Sequence, residues 1–233
     1  MTTRVDREGL HQLLDQAHET TLRAMAVYDA ALAATTHEEL AAEWRLHREA
    51  AHRRAQVLAD VFDALGLDVE ASSRVRTAAA ALGKSLLEVI AYAVQGGDRA
   101  AAERVATECV LLVETRDQLH RKLLAIAAER VTGPVAQVLK DAVEAIEAQA
   151  DPLALHTLGW SRELWIDALG LAAVLPPPEE VAPAAVAGEA VASHGGRREA
   201  GWRIDAAAAE RRPDAKKLST KKRERPGWTL LKT

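Results

Sequence analysis

The sequence predicts an all-α protein, an up-down helical bundle followed by a basic C-terminal tail. Three observations support this. Before residue 150 the chain is rich in Ala, Leu, Glu and Arg and poor in Gly and Pro, a composition typical of long helices because alanine is the best helix former. Apolar residues recur every three or four positions, the period of one helix face. Aromatic residues are only 3% of the chain, so the predicted core is aliphatic.

The first predicted helix covers residues 6–34 and the second residues 36–65. Thr36 is a favourable N-cap, and Glu39 three positions later completes a capping box. Gly66 is expected to end the second helix, as glycine often does. On a helical wheel Glu19 lies opposite the apolar stripe of the first helix, so its side chain is expected to face solvent.

Four further helices are predicted at residues 71–94, 99–130, 134–149 and 152–174. Gly96 and Gly97 end the third helix, and Asp98 caps the fourth. Leu82 falls on the apolar stripe of the third helix. Asp151-Pro152 resembles an N-cap followed by proline at the first helical position, which predicts the sixth helix.

The chain divides into a predicted bundle (5–175), a Pro/Ala-rich flexible linker (176–196) and a largely disordered basic tail (197–233). The tail carries 12 Lys and Arg against 5 Asp and Glu, a balance of +7, whereas the rest of the chain carries 18 against 29, a balance of −11. An acidic body with a basic tail predicts that the tail binds an anionic partner or the body itself.

Composition also narrows the location and the class of protein. No run of about 18 apolar residues is present, so no membrane span is predicted. The first residues lack the apolar stretch of a secretory signal, and Cys109 is the only cysteine. Both features predict a cytoplasmic protein. Phosphate-binding loops, zinc spacings and nucleophile elbows are not found, which leaves open whether the protein is an enzyme.

Residues 36–44 and 61–66 carry a resemblance to the ferritin-like superfamily. The shared features are a helix ending, the pair Glu39-Leu40, and a second helix closing in Leu65-Gly66. Over residues 8–150 the chain resembles small bacterial ferritin-like domains of uncharacterised or stress-associated function. The resemblance implies four long helices plus an intervening helix, here with an extra C-terminal helix.

The resemblance also implies a metal site, with iron or manganese as the candidate ions, held by inward Glu and Glu-x-x-His residues. The second and fourth helices supply five candidate ligands: Glu49, His52, His47, Asp117 and His120. On the wheel Glu49 and His52 lie off the apolar stripe, whereas the other three point inward. Those three predict either a metal site or a buried polar cluster in which Asp117 pairs with Arg116 or a histidine.

Two regions are predicted to bind partners. Trp160 and Trp165 make the sixth helix adhesive, so that it either packs on the bundle or forms the seam of a homodimer, which we favour. The tail carries clustered cations that suit nucleic-acid phosphates and an aromatic anchor that suits a groove on a partner protein, unless it is simply solvated. These tail residues are Lys216, Lys217, Lys221, Lys222, Arg223 and Trp228.

Three functions follow as hypotheses. The first is a non-catalytic or degenerate ferritin-like bundle acting as an interaction or stress-associated protein. The second is a metal-binding oxidase or iron-handling protein, which requires Glu49, His52, Glu114 and Glu144 to converge on one ion. The third is a nucleic-acid-binding protein acting through the tail.

Overall fold

The structure, a computed structural model, describes residues 6–147 and 156–172. Within these two ranges the secondary structure is entirely helical, which confirms the all-α prediction. The helices are α1 (Arg7–Ala34), α2 (Glu38–Ala64), α3 (Arg74–Gln95), α4 (Arg99–Arg130), α5 (Pro134–Glu147) and α6 (His156–Ala168).

The helix ends are set by local capping. The Asp98 side chain accepts a hydrogen bond from the amide of Ala101 at 3.0 Å, so Asp98 caps α4 as predicted. Gly66 follows α2 with a φ of 67°, a left-handed conformation that favours glycine. The predicted cap Asp151-Pro152, the linker 176–196 and the tail 197–233 lie outside the described residues.

α1 and α4 are the central helices, and α4 has the most neighbours. α1 packs against α2, α3 and α4, α4 also contacts α3, α5 and α6, and α2 contacts α5. Therefore α1, α2, α5 and α4 form a closed ring of four neighbours, with α3 outside the ring on α1 and α4. Tyr28 meets Glu114, and Thr36 meets Glu103, so α1 and α4 run antiparallel.

α3 approaches α1 closely at Gly83. A Cβ atom placed on Gly83 would lie 2.4 Å from the Cβ of Arg23, well inside van der Waals contact. The missing side chain therefore allows the close packing of the two helices. Leu82, expected on the buried stripe of α3, is 43% exposed, because the buried face is centred on Gly83, Leu86 and Ile90 instead.

The interior contains two apolar clusters. The first cluster is built from the C-terminal half of α1, the start of α2, parts of α3 and α4, and Leu164 of α6. The second is built from the start of α1, the end of α2, the end of α4 and α5. Trp44 lies fully buried in the first cluster, and Phe62 lies in the second.

α3 is long and apolar enough to cross a membrane, by length and composition only. Its mean hydropathy over an 18-residue window is 1.4, and 22% of that window is buried in the bundle. A single helix of this kind is weak evidence, because core helices of soluble proteins satisfy the same criteria. The predictions of no membrane span and of a cytoplasmic location therefore stay predictions.

Candidate functional site

A layer of buried polar side chains separates the two apolar clusters; we call it the polar belt. It occupies the middle of three helices, and all of its members except His47 lie between the residues that each helix gives to the two clusters; His47 lies between Trp44 and Ala51 of the first cluster. The belt consists of His18, Glu19, Thr20 and Thr21 of α1, His47 and Arg54 of α2, and Glu114, Asp117 and His120 of α4. Buried polar groups are costly unless they are paired, so their partners determine what the belt can do.

Asp117 is bound by groups from three helices. One carboxylate oxygen accepts a hydrogen bond from the Thr21 hydroxyl at 3.1 Å. The other lies 3.1 Å from a terminal nitrogen of Arg54 and 3.3 Å from Nε of Arg121. Two guanidinium groups therefore balance this carboxylate, whose side chain is only 6% exposed.

The predicted pairing of Asp117 with Arg116 is wrong. Arg116 is directed towards α1, where it donates hydrogen bonds to the Thr20 hydroxyl at 3.2 Å and to the Gln16 side chain at 3.0 Å. The reason is its place on α4, one residue before Asp117 and about 100° around the helix.

Glu114 lies one turn before Asp117 and joins α4 to both α1 and α2. Its Oε1 accepts a hydrogen bond from the Tyr28 hydroxyl at 2.7 Å and lies 2.9 Å from Nδ1 of His47. Burial and the nearby Glu114 carboxylate raise the pKa of Tyr28 well above its usual range. Tyr28 is therefore a stable hydrogen-bond donor here, and His47 points into the bundle as predicted.

His18 and His120 are the other buried imidazoles of the belt. Burial, followed by the charge of Arg76, lowers the pKa of His18, and burial, followed by the charge of Arg116, lowers the pKa of His120. Both rings are therefore neutral near pH 7. His120 faces inward as predicted. Among the residues that the structure describes, no carboxylate lies close enough to His120 to form an ion pair with it.

Glu19 contradicts the expectation that it faces solvent. It is buried between α1 and α3, where its carboxylate lies 2.6 Å from a terminal nitrogen of Arg23 and 3.9 Å from Arg76. Asp15, one turn earlier, is buried beside it and lies 2.9 Å from Arg76. Arg76 of α3 thus lies close to two carboxylates of α1. The prediction for Glu19 was wrong because a helical wheel of α1 alone does not include α3.

A second unexpected carboxylate, Glu103 of α4, caps α2. It accepts hydrogen bonds from the hydroxyls of Thr35 and Thr36, from Nδ1 of His37 at 2.9 Å, and from the amides of Thr36 and His37 at 2.8 and 3.1 Å. Burial alone raises the pKa of Glu103, but these hydrogen bonds outweigh it and lower the pKa to about 2.

The predicted capping box of α2 is therefore wrong. The N-cap residue is His37, which makes no side-chain cap bond, and Glu39 is exposed. The amides at the start of α2 are satisfied by a carboxylate 66 and 67 positions away in the chain.

The other candidate ligands lie away from the belt. Glu49 and His52 are exposed on α2, and Glu49 lies 3.7 Å from its neighbour Arg53. Glu144 is exposed on α5. These side chains do not converge with Glu114, as the oxidase hypothesis requires. Over residues 6–147 and 156–172, no three His, Cys, Asp or Glu side chains are grouped closely enough to hold a metal ion.

α6 packs on its own bundle through both tryptophans. The Trp160 ring lies 5.7 Å from the His37 ring and packs on the first cluster. The indole of Trp165 donates a hydrogen bond to Glu108 at 2.7 Å, and Arg104 lies 5.3 Å from its ring centre. A homodimer through α6 stays a prediction.

Cys109 lies buried in the first cluster, where it packs as a small apolar residue. Burial, followed by the charge of Glu108, raises the pKa of its thiol to about 11. The thiol is therefore protonated near pH 7, and a thiolate is the form that reacts and binds metals.

Comparisons of the chain with protein-family models, with curated proteins and with solved structures find no match. The candidate site therefore depends on geometry alone. Its charged groups come in compensated sets: Asp117 with Arg54 and Arg121, and Glu19 with Arg23 and Arg76. Such an arrangement joins helices to one another and uses the carboxylate oxygens that a metal ion would need.

Proposed function

We propose that this chain is a non-catalytic, degenerate ferritin-like bundle that acts as an interaction or stress-associated protein. The supporting observation is that three of the four oxygens of the inward carboxylates Glu114 and Asp117 of α4 are bound by the protein's own donors. Thr21, Arg54 and Arg121 hold both oxygens of Asp117, and Tyr28 and His47 hold Oε1 of Glu114. Oε2 of Glu114 is buried and has no hydrogen-bond partner among the described residues.

A metal ion in this belt would have to displace those donors. Divalent iron and manganese are held by several converging oxygen and nitrogen ligands. Ligation by Asp117 would leave Arg54 buried without its partner, and an unpaired buried charge costs several kcal/mol. The belt is therefore better suited to hold helices together than to hold an ion, and the protein's activity lies in what its surface binds.

Metal analysis of full-length protein purified without chelators tests this proposal. We expect iron and manganese far below one ion per chain, both as purified and after anaerobic incubation with either ion followed by desalting. Glu114→Gln is the informative variant, and Glu39→Gln, at an exposed position on α2, is the matched surface control. A pair of tightly held ions per chain, lost in Glu114→Gln and kept in Glu39→Gln, would overturn the proposal.

A second candidate, binding of nucleic acid through the tail, rests on charge. The 37 residues from 197 to 233 carry a balance of +7 against −11 for the rest of the chain, and clustered cations bind phosphates by releasing condensed counterions. Gel-shift assays of the full chain and of a chain ending at residue 196, each at two salt concentrations, test it. Binding that is absent, or that survives the truncation, would rule it out.

A further inference from the structure

The outer faces of α3 and α4 carry large apolar side chains that are exposed. Scattered apolar residues are normal on a protein surface, but contiguous patches mark interaction sites. On α4 the exposed residues are Leu112, Leu119, Leu123 and Ile126. On α3 they are Leu82, Val89, Tyr92 and Val94.

The two sets flank one seam. Arg76 and Gly83 mark the side of α3 that faces α1. At about 100° per residue, Leu82 and Val89 fall on the opposite edge of the buried face of α3, beside α4. On α4 the exposed leucines lie next to Arg116 around the helix. Arg116 reaches α1, and α3 packs on both α1 and α4, so we infer that the leucines lie beside α3. We call this surface the α3–α4 seam.

The exposed residues of α4 repeat with a period of seven. Leu112, Leu119 and Ile126 are seven apart, and Leu123 lies between the last two, a spacing typical of a helix that pairs with another helix. The repeat is centred on Leu119. If two copies of α4 cross antiparallel with a two-fold axis at Leu119, Leu112 of each copy faces Ile126 of the other. The stripe is therefore complementary to itself, as a two-fold interface requires.

The charges at the two ends of this stripe are also complementary. In the same antiparallel register Glu108 of one copy faces Arg130 of the other, and both residues are exposed. Glu108 accepts the Trp165 hydrogen bond with Oε1, so its other carboxylate oxygen is the one that meets Arg130. Lys122 faces Arg116, whose guanidinium is directed to α1 and away from the partner. The apolar residues span about 21 Å along α4, and the surface from Glu108 to Arg130 spans about 33 Å. With about 20 Å across two helices, this whole surface approaches the 800 Å² or so per partner of a stable interface.

We propose that this protein forms a two-fold homodimer in which α4 pairs antiparallel with α4 of a second copy, centred on Leu119. Leu123 and Ile126 of each copy then fill the α3–α4 seam of the other. This interface differs from one made by α6, whose tryptophans contact their own bundle. It goes beyond the proposed function, because neither the polar belt nor the tail takes part in it.

Light scattering and sedimentation of the full chain at micromolar concentration test the dimer. We expect a dimer for the unsubstituted protein and a monomer of unchanged helical circular dichroism for Leu119→Asp. Leu46→Asp is the matched control, since Leu46 is exposed on α2 to a similar extent, 61% against 54% for Leu119, and should leave the dimer intact.

A cysteine cross-link and a charge exchange identify the register. Leu119→Cys should cross-link to itself under mild oxidation, whereas Leu46→Cys should not. Glu108→Arg should weaken the dimer at least several-fold, and adding Arg130→Glu should restore it. An unsubstituted protein that is monomeric overturns the proposal. So does a dimer that survives Leu119→Asp, fails to cross-link through Leu119→Cys, or dissociates only when Trp165 is replaced by alanine.

Discussion

Arg54 of α2 and Asp117 of α4 form a buried ion pair across the centre of the bundle, with 3.1 Å between the guanidinium and the carboxylate. Both side chains are nearly inaccessible to solvent. The two helices have few direct backbone contacts, so this pair and the His47–Glu114 contact connect them through the belt.

Removing one partner of this pair should strongly destabilise the protein. Arg54→Met leaves Asp117 buried with Arg121 as its remaining cation, and we expect a loss of about 3 kcal/mol in the free energy of unfolding. Urea denaturation measures the loss. Arg53→Met, at an exposed neighbouring position on α2, should change the free energy by less than about 0.5 kcal/mol. Equal losses for the two variants would contradict a structural role for the pair.

Glu103 should make the protein sensitive to acid. Its folded pKa of about 2 lies below its ordinary value of 4.5. A lowered carboxyl pKa contributes stability above the unfolded value, and that stability is lost as pH falls from about 4.5 towards 2. The contribution is on the order of 3 kcal/mol, at about 1.4 kcal/mol per unit of pKa. Glu103→Gln should be less stable at pH 7 and should lose less stability between pH 5 and 3, as measured by urea denaturation.

The buried histidines should weaken the protein in mildly acidic solution. The folded pKa of His120 lies below its ordinary value of 6.5. The unfolded chain therefore binds more protons below pH 6.5, and stability falls as pH decreases through that range by up to about 1.4 kcal/mol per pH unit. The melting temperature should decrease from pH 7 to pH 5.5, and the decrease should be smaller in His120→Gln. His52→Gln, at an exposed position, should show the same decrease as the unsubstituted protein.

Gly83→Ala should destabilise the bundle although alanine is the better helix former. The added methyl group would overlap the Arg23 side chain, with 2.4 Å between the two Cβ atoms, and overpacking of this kind costs about 1–3 kcal/mol. Gly159→Ala in α6 is the control. No atom lies within 4 Å of the added Cβ there, so the variant should gain up to about 1 kcal/mol from helix propensity. Thermal denaturation of the two variants should therefore shift in opposite directions.

The helices were predictable because their signals are local. Asp98 and Gly66 stand where the sequence predicts a helix to begin or end, and both act there as expected. The inward direction of His47, Asp117 and His120 also followed from the period of the apolar residues around them. In each case neighbours along one helix carry the information.

The contacts that the sequence did not predict are made by residues of other helices. Glu19 is buried because α3 covers that side of α1 and brings Arg76 to it. Thr36 is bound by Glu103, a residue of α4 rather than of its own helix. A helical wheel or a capping pattern uses only residues that are close in the sequence, so it cannot include partners from another helix. The burial of such a carboxylate could have been predicted only if the arginine that pairs with it on another helix had been known.

The polar belt also determines how far the helices can slide past one another. Alanine-rich faces are smooth, and shifting one such helix by a full turn exchanges small residues for others of similar size. At the belt the same shift would separate Thr21 and Arg54 from Asp117, and Tyr28 from Glu114, leaving charges stranded in the interior. The polar belt thus excludes misaligned arrangements of the helices that the apolar surfaces alone would tolerate. Burying these polar groups costs free energy, but it leaves the helices a single well-defined alignment.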